Sequence, residues 1–176
     1  MFDTGIDEAL LKKALIDGPA LSDDIPNEEL VEAALDVVGG RAQLKDIKGL
    51  TDEEMEASYA NGYSVFRAGN YHKAEDIFMF LCTMDNCEKK YWTALGAARF
   101  NMGNHYGALL AYSQAALLDI EPALMIKVAQ CRLALGDKEL AEGCLDAAVE
   151  LAGDAPDHAQ DKARAEAMLS LLQSPS

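Results

Sequence analysis

Three aromatic residues at helical spacing are the side chains of this chain best suited to specific recognition. Tyr59, Tyr63 and Phe66 stand at i, i+4 and i+7, so an α-helix would carry all three on one stripe. Such a stripe can belong to a buried core, or it can offer apolar surface to a second chain. The neighbouring elements decide between the two.

The other reactive side chains do not indicate catalysis or metal binding. The 3 histidines have no Ser, Cys or Asp partner at a recognisable spacing. The 4 cysteines include no Cys-x-x-Cys pair and no nearby His at zinc spacing. Gly-rich phosphate loops are absent as well. We therefore expect a protein that is not an enzyme and that uses no metal and no cofactor.

The helices that would position the stripe are set by a motif that occurs three times. Gly-Asn-Tyr-His-Lys-Ala begins at Gly69, and its counterparts begin at Gly103 and Gly136. The steps of 34 and 33 residues are typical of tetratricopeptide helix-turn-helix units. We predict an all-α fold, a tetratricopeptide superhelix of three helical hairpins with N-terminal helices before it and a C-terminal capping helix after it.

The same register predicts how the chain is divided. Residues 1–50 would form N-terminal amphipathic helices, a dimerisation or packing segment, and residues 153–176 a C-terminal capping helix with a frayed tail. The repeats would occupy residues 51–152, at about 55–88, 89–121 and 122–152.

The register also separates two faces of the first helix of each hairpin. Gly62, Gly96 and Ala129 are small, as helices that pack at roughly 8–10 Å require. The aromatic stripe lies on another face, which would line a concave groove for an extended peptide with aliphatic side chains. The predicted groove residues are Tyr59, Tyr63, Phe66, Lys90, Thr93, Ala97, Phe100, Asn101, Ile126, Gln130 and Leu133.

Two amphipathic segments precede the repeats, one with Ile6, Leu10 and Ala14 and one running from about residue 27 to 38. Their apolar stripes could pack on the first repeat or form a dimer interface. We predict a homodimer that uses one stripe of the second segment, made of Leu30, Leu35 and Val38.

Composition excludes several classes of partner. The net charge of −15 and the pI near 4.4 argue against nucleic acid and against direct binding to an anionic membrane. No apolar run reaches the roughly 18 residues of a membrane span, and the N-terminus lacks the pattern of a signal peptide. We expect a cytoplasmic protein.

Several motifs resemble those of one family. Residues 66–71 (Phe-Arg-Ala-Gly-Asn-Tyr), 81–85 (Leu-Cys-Thr-Met-Asp) and 95–99 (Leu-Gly-Ala-Ala-Arg) are similar to motifs of the class II chaperones of type III secretion systems. The similarity covers approximately residues 51–152. Lys127 stands where that family usually has His, and Phe100 where it usually has Gln, so the pockets at that end are expected to differ.

The resemblance implies a bacterial cytoplasmic chaperone whose groove holds an extended segment of a pore-forming translocator. Such a chaperone keeps one or two translocators soluble and secretion-competent. It also implies a homodimer, because members of this family are often dimeric through their N-terminal helices. Two alternatives stay open here. The chain could be a transcription co-regulator that binds an activator of secretion genes, or a generic tetratricopeptide scaffold that joins two folded proteins.

Overall fold

The computed structural model describes residues 9, 12–13, 16–17, 27–38 and 42–174. The chain divides into two compact units, Met1–Thr51 and Asp52–Ser176. The first predicted amphipathic segment, with Ile6, Leu10 and Ala14, lies outside the described residues.

The first unit contains helix α1 (Asn27–Val38) and the short helix α2 (Leu44–Ile47). In α1, Val31 is buried and Leu35 is half-buried, as expected for an amphipathic helix. The side chains of Leu30 and Val38 lie outside the part that the structure describes. The predicted dimer stripe therefore stays a prediction.

The second unit consists of helices joined by short turns. Successive helices pack together as hairpins, α3 with α4, α5 with α6 and α7 with α8, and α9 then packs on α8. This arrangement confirms the predicted all-α tetratricopeptide fold with its capping helix. The helices are α3 (Asp52–Arg67), α4 (Tyr71–Met84), α5 (Lys89–Asn101), α6 (His105–Leu118), α7 (Pro122–Ala134), α8 (Lys138–Ala152) and α9 (Ala159–Gln173), with a 3₁₀ turn at Pro156–His158 before α9.

The repeated motif forms the turn inside each hairpin. Its glycine takes a left-handed conformation in every copy, with φ of 80° at Gly69, 79° at Gly103 and 87° at Gly136, a region that favours glycine. In the first two copies the next residue is an asparagine that caps the following helix. The Oδ1 of Asn104, for example, accepts a hydrogen bond of 2.9 Å from the backbone N–H of Gly107.

Small residues let the two helices of a hairpin approach closely. A Cβ atom added at Gly62 would lie 2.7 Å from the ring of Phe78, and one at Gly96 would lie 2.6 Å from the ring of Tyr112. The third hairpin has Leu145 at the position of these rings, and there an alanine, Ala129, is tolerated and fully buried. The residue that fits on the first helix therefore depends on the side chain opposite it, with glycine opposite a ring and alanine opposite leucine.

Helix α9 closes the core at the C-terminal end. Ala165 and Leu169 of α9 join a buried apolar cluster with Ile126, Ala141 and Leu145. Leu171 stays 76% exposed, so one face of α9 is buried and another is left to solvent, as a terminal cap requires.

Candidate peptide-binding groove

The aromatic stripe forms a continuous row on α3. The ring centroids of Tyr59 and Tyr63 lie 6.4 Å apart, and those of Tyr63 and Phe66 lie 6.5 Å apart, both pairs stacked. Tyr63 is 50% exposed, while Tyr59 and Phe66 are half-buried. The row is therefore partly exposed to solvent and is not fully buried in the core.

Neighbouring rings hold both ends of the row in place. Tyr59 packs 5.9 Å from Phe78 and 5.7 Å from Tyr91, measured between centroids. Phe66 meets Tyr71 edge-on at 5.3 Å, a favoured geometry for aromatic pairs. Burial raises the pKa of the Tyr59 phenol, so this phenol stays protonated at neutral pH. Both end rings of the row are therefore held by contacts with neighbouring aromatic side chains.

A cavity of about 130 Å³ opens beside the row. Its volume is close to the roughly 150 Å³ of an apolar cavity that can hold one benzene molecule, so it has room for one aliphatic side chain. Ala94 and Ala97 leave the space open because neither side chain extends beyond Cβ. The cavity is lined by Tyr59, Tyr63, Phe66, Phe78, Thr93, Ala94 and Ala97, and we call this surface the aromatic groove.

Five predicted groove residues therefore meet at one cavity, and two of its lining residues were missed. The repeat register assigns Phe78 to the hairpin core, where it is indeed buried, but its ring also forms part of the cavity wall. Ala94 follows Thr93 directly and carries no side-chain signal of its own. Its position only becomes apparent once α5 packs beside α3.

Polar groups lie at the edge of the aromatic groove. The Nζ of Lys90 is 2.5 Å from the Oε2 of Glu56 and 5.4 Å from the ring centroids of Tyr59 and Tyr91. The hydrogen bond to Glu56 raises the pKa of Lys90. Asn101, further along α5, is exposed and donates to the backbone oxygen of Ala97 at 2.8 Å. Sequence reasoning missed Glu56, although it stands 34 residues before Lys90 and hence one repeat away.

The prediction for the third-repeat end of the groove is wrong at one residue. Ile126 is fully buried, so its predicted exposure to the groove is wrong. The reason is that Ile126 belongs to the buried cluster to which α9 contributes Ala165 and Leu169. Leu133 is half-buried and packs against the same cluster, whereas Gln130 is half-buried outside it.

Phe100, the predicted groove residue near the end of α5, is shared between core and surface. It is half-buried and packs against the buried cluster that contains Leu109 and Tyr112. Its ring also meets that of His105 edge-on at a centroid distance of 5.0 Å. Phe100 therefore offers less free surface than Tyr63.

A larger but less suitable depression lies between α8 and α9. It measures about 590 Å³ and is wide open. Its lining mixes Asp146 and Glu166 with Leu169 and small polar side chains. An enclosed, mainly apolar pocket suits a ligand better than an open polar surface, so the aromatic groove is the stronger candidate.

The described residues contain no candidate metal site, and their buried thiols are unreactive. Among the described residues, no group of three His, Cys, Asp or Glu side chains could hold a metal ion. Burial raises the pKa of Cys82 to about 12 and that of Cys131 to about 11, so both thiols stay protonated at neutral pH. No described helix combines the length and apolarity needed to cross a bilayer.

These features define a tetratricopeptide protein with an open apolar groove, and comparison with known proteins identifies its family. A tetratricopeptide repeat model matches residues 44–86. Low calcium response locus protein H of Yersinia pseudotuberculosis is 31% identical over 135 residues, covering 76% of this chain and 80% of that protein.

Two solved structures extend the likeness. Pseudomonas aeruginosa PcrH, in complex with the chaperone binding region of PopD, is 39% identical and covers 70% of this chain and 94% of its own, with a TM-score of 0.67. The type III secretion translocator chaperone SycD of Yersinia enterocolitica, in an alternative dimer, is 29% identical and covers 70% and 94%, with a TM-score of 0.67. The chain belongs to the class II translocator chaperones of type III secretion systems, the family of LcrH and SycD.

Proposed function

We propose that this chain is a cytoplasmic, non-enzymatic bacterial chaperone that binds an extended hydrophobic segment of pore-forming translocators in its aromatic groove. The observation that carries the proposal is the open apolar cavity bounded by Tyr59, Tyr63 and Phe66. PcrH, which is 39% identical, is known in complex with the chaperone binding region of PopD. By holding such a segment, the chain would keep translocators soluble and secretion-competent.

The energetics of the groove suit reversible holding. One well-buried aliphatic side chain contributes about 1.5–3 kcal/mol, and ordering the bound segment costs part of that gain. A single cavity therefore gives weak binding, and several anchors are needed for a stable complex. Occupation of the segment lowers the concentration of free, aggregation-prone client by mass action.

Each predicted residue takes a role in this proposal. The three aromatic residues of α3 form one wall, Thr93 and Ala97 form the other, and Lys90 with Asn101 gives a polar edge. Phe100, Gln130 and Leu133 extend the surface along the stack. Ile126 supports that end from inside the core.

The segments of the chain are assigned accordingly. Residues 51–152 would bind the client, with the repeats at about 55–88, 89–121 and 122–152, and residues 153–176 would cap the stack. Residues 1–50 would mediate self-association.

A double substitution tests the groove directly. Tyr63→Ala with Phe66→Ala removes two of the three rings of the row, and we expect it to abolish recovery of a co-expressed translocator while helix content stays unchanged. The matched control is Tyr106→Ala, which removes an aromatic side chain that is 63% exposed on α6. Full translocator recovery by the double variant would overturn the groove assignment.

We also propose that the chain forms a homodimer through α1, because its apolar stripe includes the half-buried Leu35. SycD, a family member, is known in an alternative dimer. Leu35→Asp should shift the molar mass from light scattering toward the monomer, whereas Ala34→Asp, at an exposed neighbouring position, should not. A monomeric wild-type chain at micromolar concentration would rule the dimer out.

A further inference from the structure

The residues that line the groove cavity have counterparts one repeat further along the stack. Each of these residues has an equivalent at the next repeat position, and the two sets share Thr93 and Ala97. These counterparts, which we call the second site, are Thr93, Ala97, Phe100, Tyr112, Ile126, Lys127 and Gln130, and Tyr112 and Ile126 are buried. Two replacements stand out within this set: Tyr112 takes the place of Phe78, and Lys127 takes the place of Ala94.

Lys127 covers the ring that would form the floor of this second site. Its Nζ lies 5.6 Å from the centroid of Tyr112, and Tyr112 itself is buried. Ala94 leaves the equivalent ring of Phe78 open to the first cavity. The second site therefore presents a cationic side chain at the position where the first site has Ala94.

Lys127 is half-buried, and its ammonium group lies over the Tyr112 ring without a hydrogen-bond or ion-pair partner among the described residues. Burial lowers the pKa of Lys127, and the neighbouring Arg164 lowers it further. Lys90, the cation beside the first cavity, differs because Glu56 already neutralises it.

The charged groups around Lys127 are of both signs. Arg164 of α9 contributes a second cation, while Asp161 of the same helix, Glu121 before α7 and the thiol of Cys131 act in the opposite direction. The protein as a whole carries a net charge of −15 and would repel acidic segments. A local preference for acid at this point would therefore have to come from Lys127.

We propose that Lys127 makes the second site select a side-chain carboxylate, so that the client segment carries an aliphatic residue for the first cavity and an Asp or Glu three residues away. A carboxylate would supply the hydrogen-bond acceptor and opposite charge that Lys127 lacks among the described residues. This inference rests on the proposed function and adds the chemical class of a second anchor.

The spacing is set by the repeat geometry. The first helices of the first two repeats, α3 and α5, pack against each other, and packed helices lie about 8–10 Å apart. An extended chain advances about 3.3 Å per residue. Equivalent sites in successive repeats are therefore about three residues apart along a bound segment, in either chain direction.

A peptide selection tests the inference. The immobilised full chain is offered nine-residue peptides with amidated C-termini, a central Leu, random residues three places before and after it, and uncharged polar residues elsewhere. We expect Asp and Glu to be enriched over Asn and Gln at one random position by about tenfold, on the order of one charge-assisted hydrogen bond. A second library with Ser in the centre measures the contribution of the aliphatic anchor.

Three variants identify the source of the preference. Lys127→Met should lose the acid enrichment and keep the dependence on the central Leu, whereas Lys127→Arg should keep both. The control Lys73→Met changes the net charge equally at an exposed position of α4 and should behave as wild type. Circular dichroism of each variant checks that the helices are retained.

The outcomes separate this inference from the proposed function. Selection of Leu-centred peptides without acid enrichment, or equal enrichment by the Lys127→Met variant, would overturn the role of Lys127 while leaving the aromatic groove in place. Equal recovery of the Leu-centred and Ser-centred libraries would overturn the peptide-binding function itself, and the second anchor with it.

Discussion

Replacement of Gly96 by alanine measures how tightly the second hairpin is packed. A Cβ atom at this position would lie 2.6, 2.7 and 3.0 Å from three atoms of the Tyr112 ring. The ring is buried, so it cannot move into solvent to relieve the overlap. Overpacking of this kind costs about 1–3 kcal/mol, and two distances under 3.0 Å place Gly96→Ala at the upper end.

Helix propensity opposes part of this cost. Alanine is favoured over glycine by about 1 kcal/mol inside a helix, so the net loss should be about 2 kcal/mol. For a chain of this length 1 kcal/mol corresponds to about 2–4 °C. We therefore expect the thermal midpoint of Gly96→Ala to fall by about 4–8 °C in a circular dichroism melt.

The chain supplies a matched control and a rescue. Gly143 lies inside α8, and a Cβ atom added there meets nothing within 4 Å. Gly143→Ala should therefore raise the midpoint by about 2–4 °C through propensity alone. Adding Tyr112→Leu to Gly96→Ala should recover part of the loss, because the third hairpin already combines Ala129 with Leu145. A Gly96→Ala midpoint at or above that of wild type would refute the packing argument.

Three further predictions concern caps, ion pairs and thiols. Asn104→Ala removes the cap of α6 and should cost about 1 kcal/mol in urea unfolding; an unchanged midpoint would contradict the cap. Arg99→Met breaks the 2.8 Å pair with Glu75, whose partners are 16% and 22% exposed, and should cost about 1–3 kcal/mol, with a smaller loss for Glu75→Gln. Iodoacetamide at pH 8 should modify the exposed Cys87 well before Cys82, whose pKa burial raises to about 12; equal labelling by mass spectrometry would speak against the buried position.

The hairpins could be predicted because their signals are local. A glycine in the left-handed region ends one helix and a residue with a capping side chain starts the next, and both effects depend on a few neighbouring residues. Repetition at steps of 34 and 33 residues then identifies the fold class. The aromatic stripe could be predicted from the same register, because the small face of α3 had to meet its hairpin partner.

The third-repeat end could not be predicted in the same way. Ile126 occupies the register position of Tyr59 and Thr93, which line the open cavity, yet it is fully buried. Its burial depends on α9, a helix that lies outside the repeat. A periodic pattern describes the features that the repeats share and carries no information about a helix that packs on the last repeat.

The sequence by itself therefore determined the helices, their order, the family motifs and the aromatic face of α3. Only the tertiary structure decided which of the equivalent positions stay open. The cavity beside Tyr63 exists because Ala94 and Ala97 are small where α5 packs beside α3. At the register position of Ala94 in the next repeat, Lys127 instead lies over the ring of Tyr112. The physical reason is that turns and caps are set by neighbours along the chain, whereas cavities and the partners of a charge are set by neighbours in space.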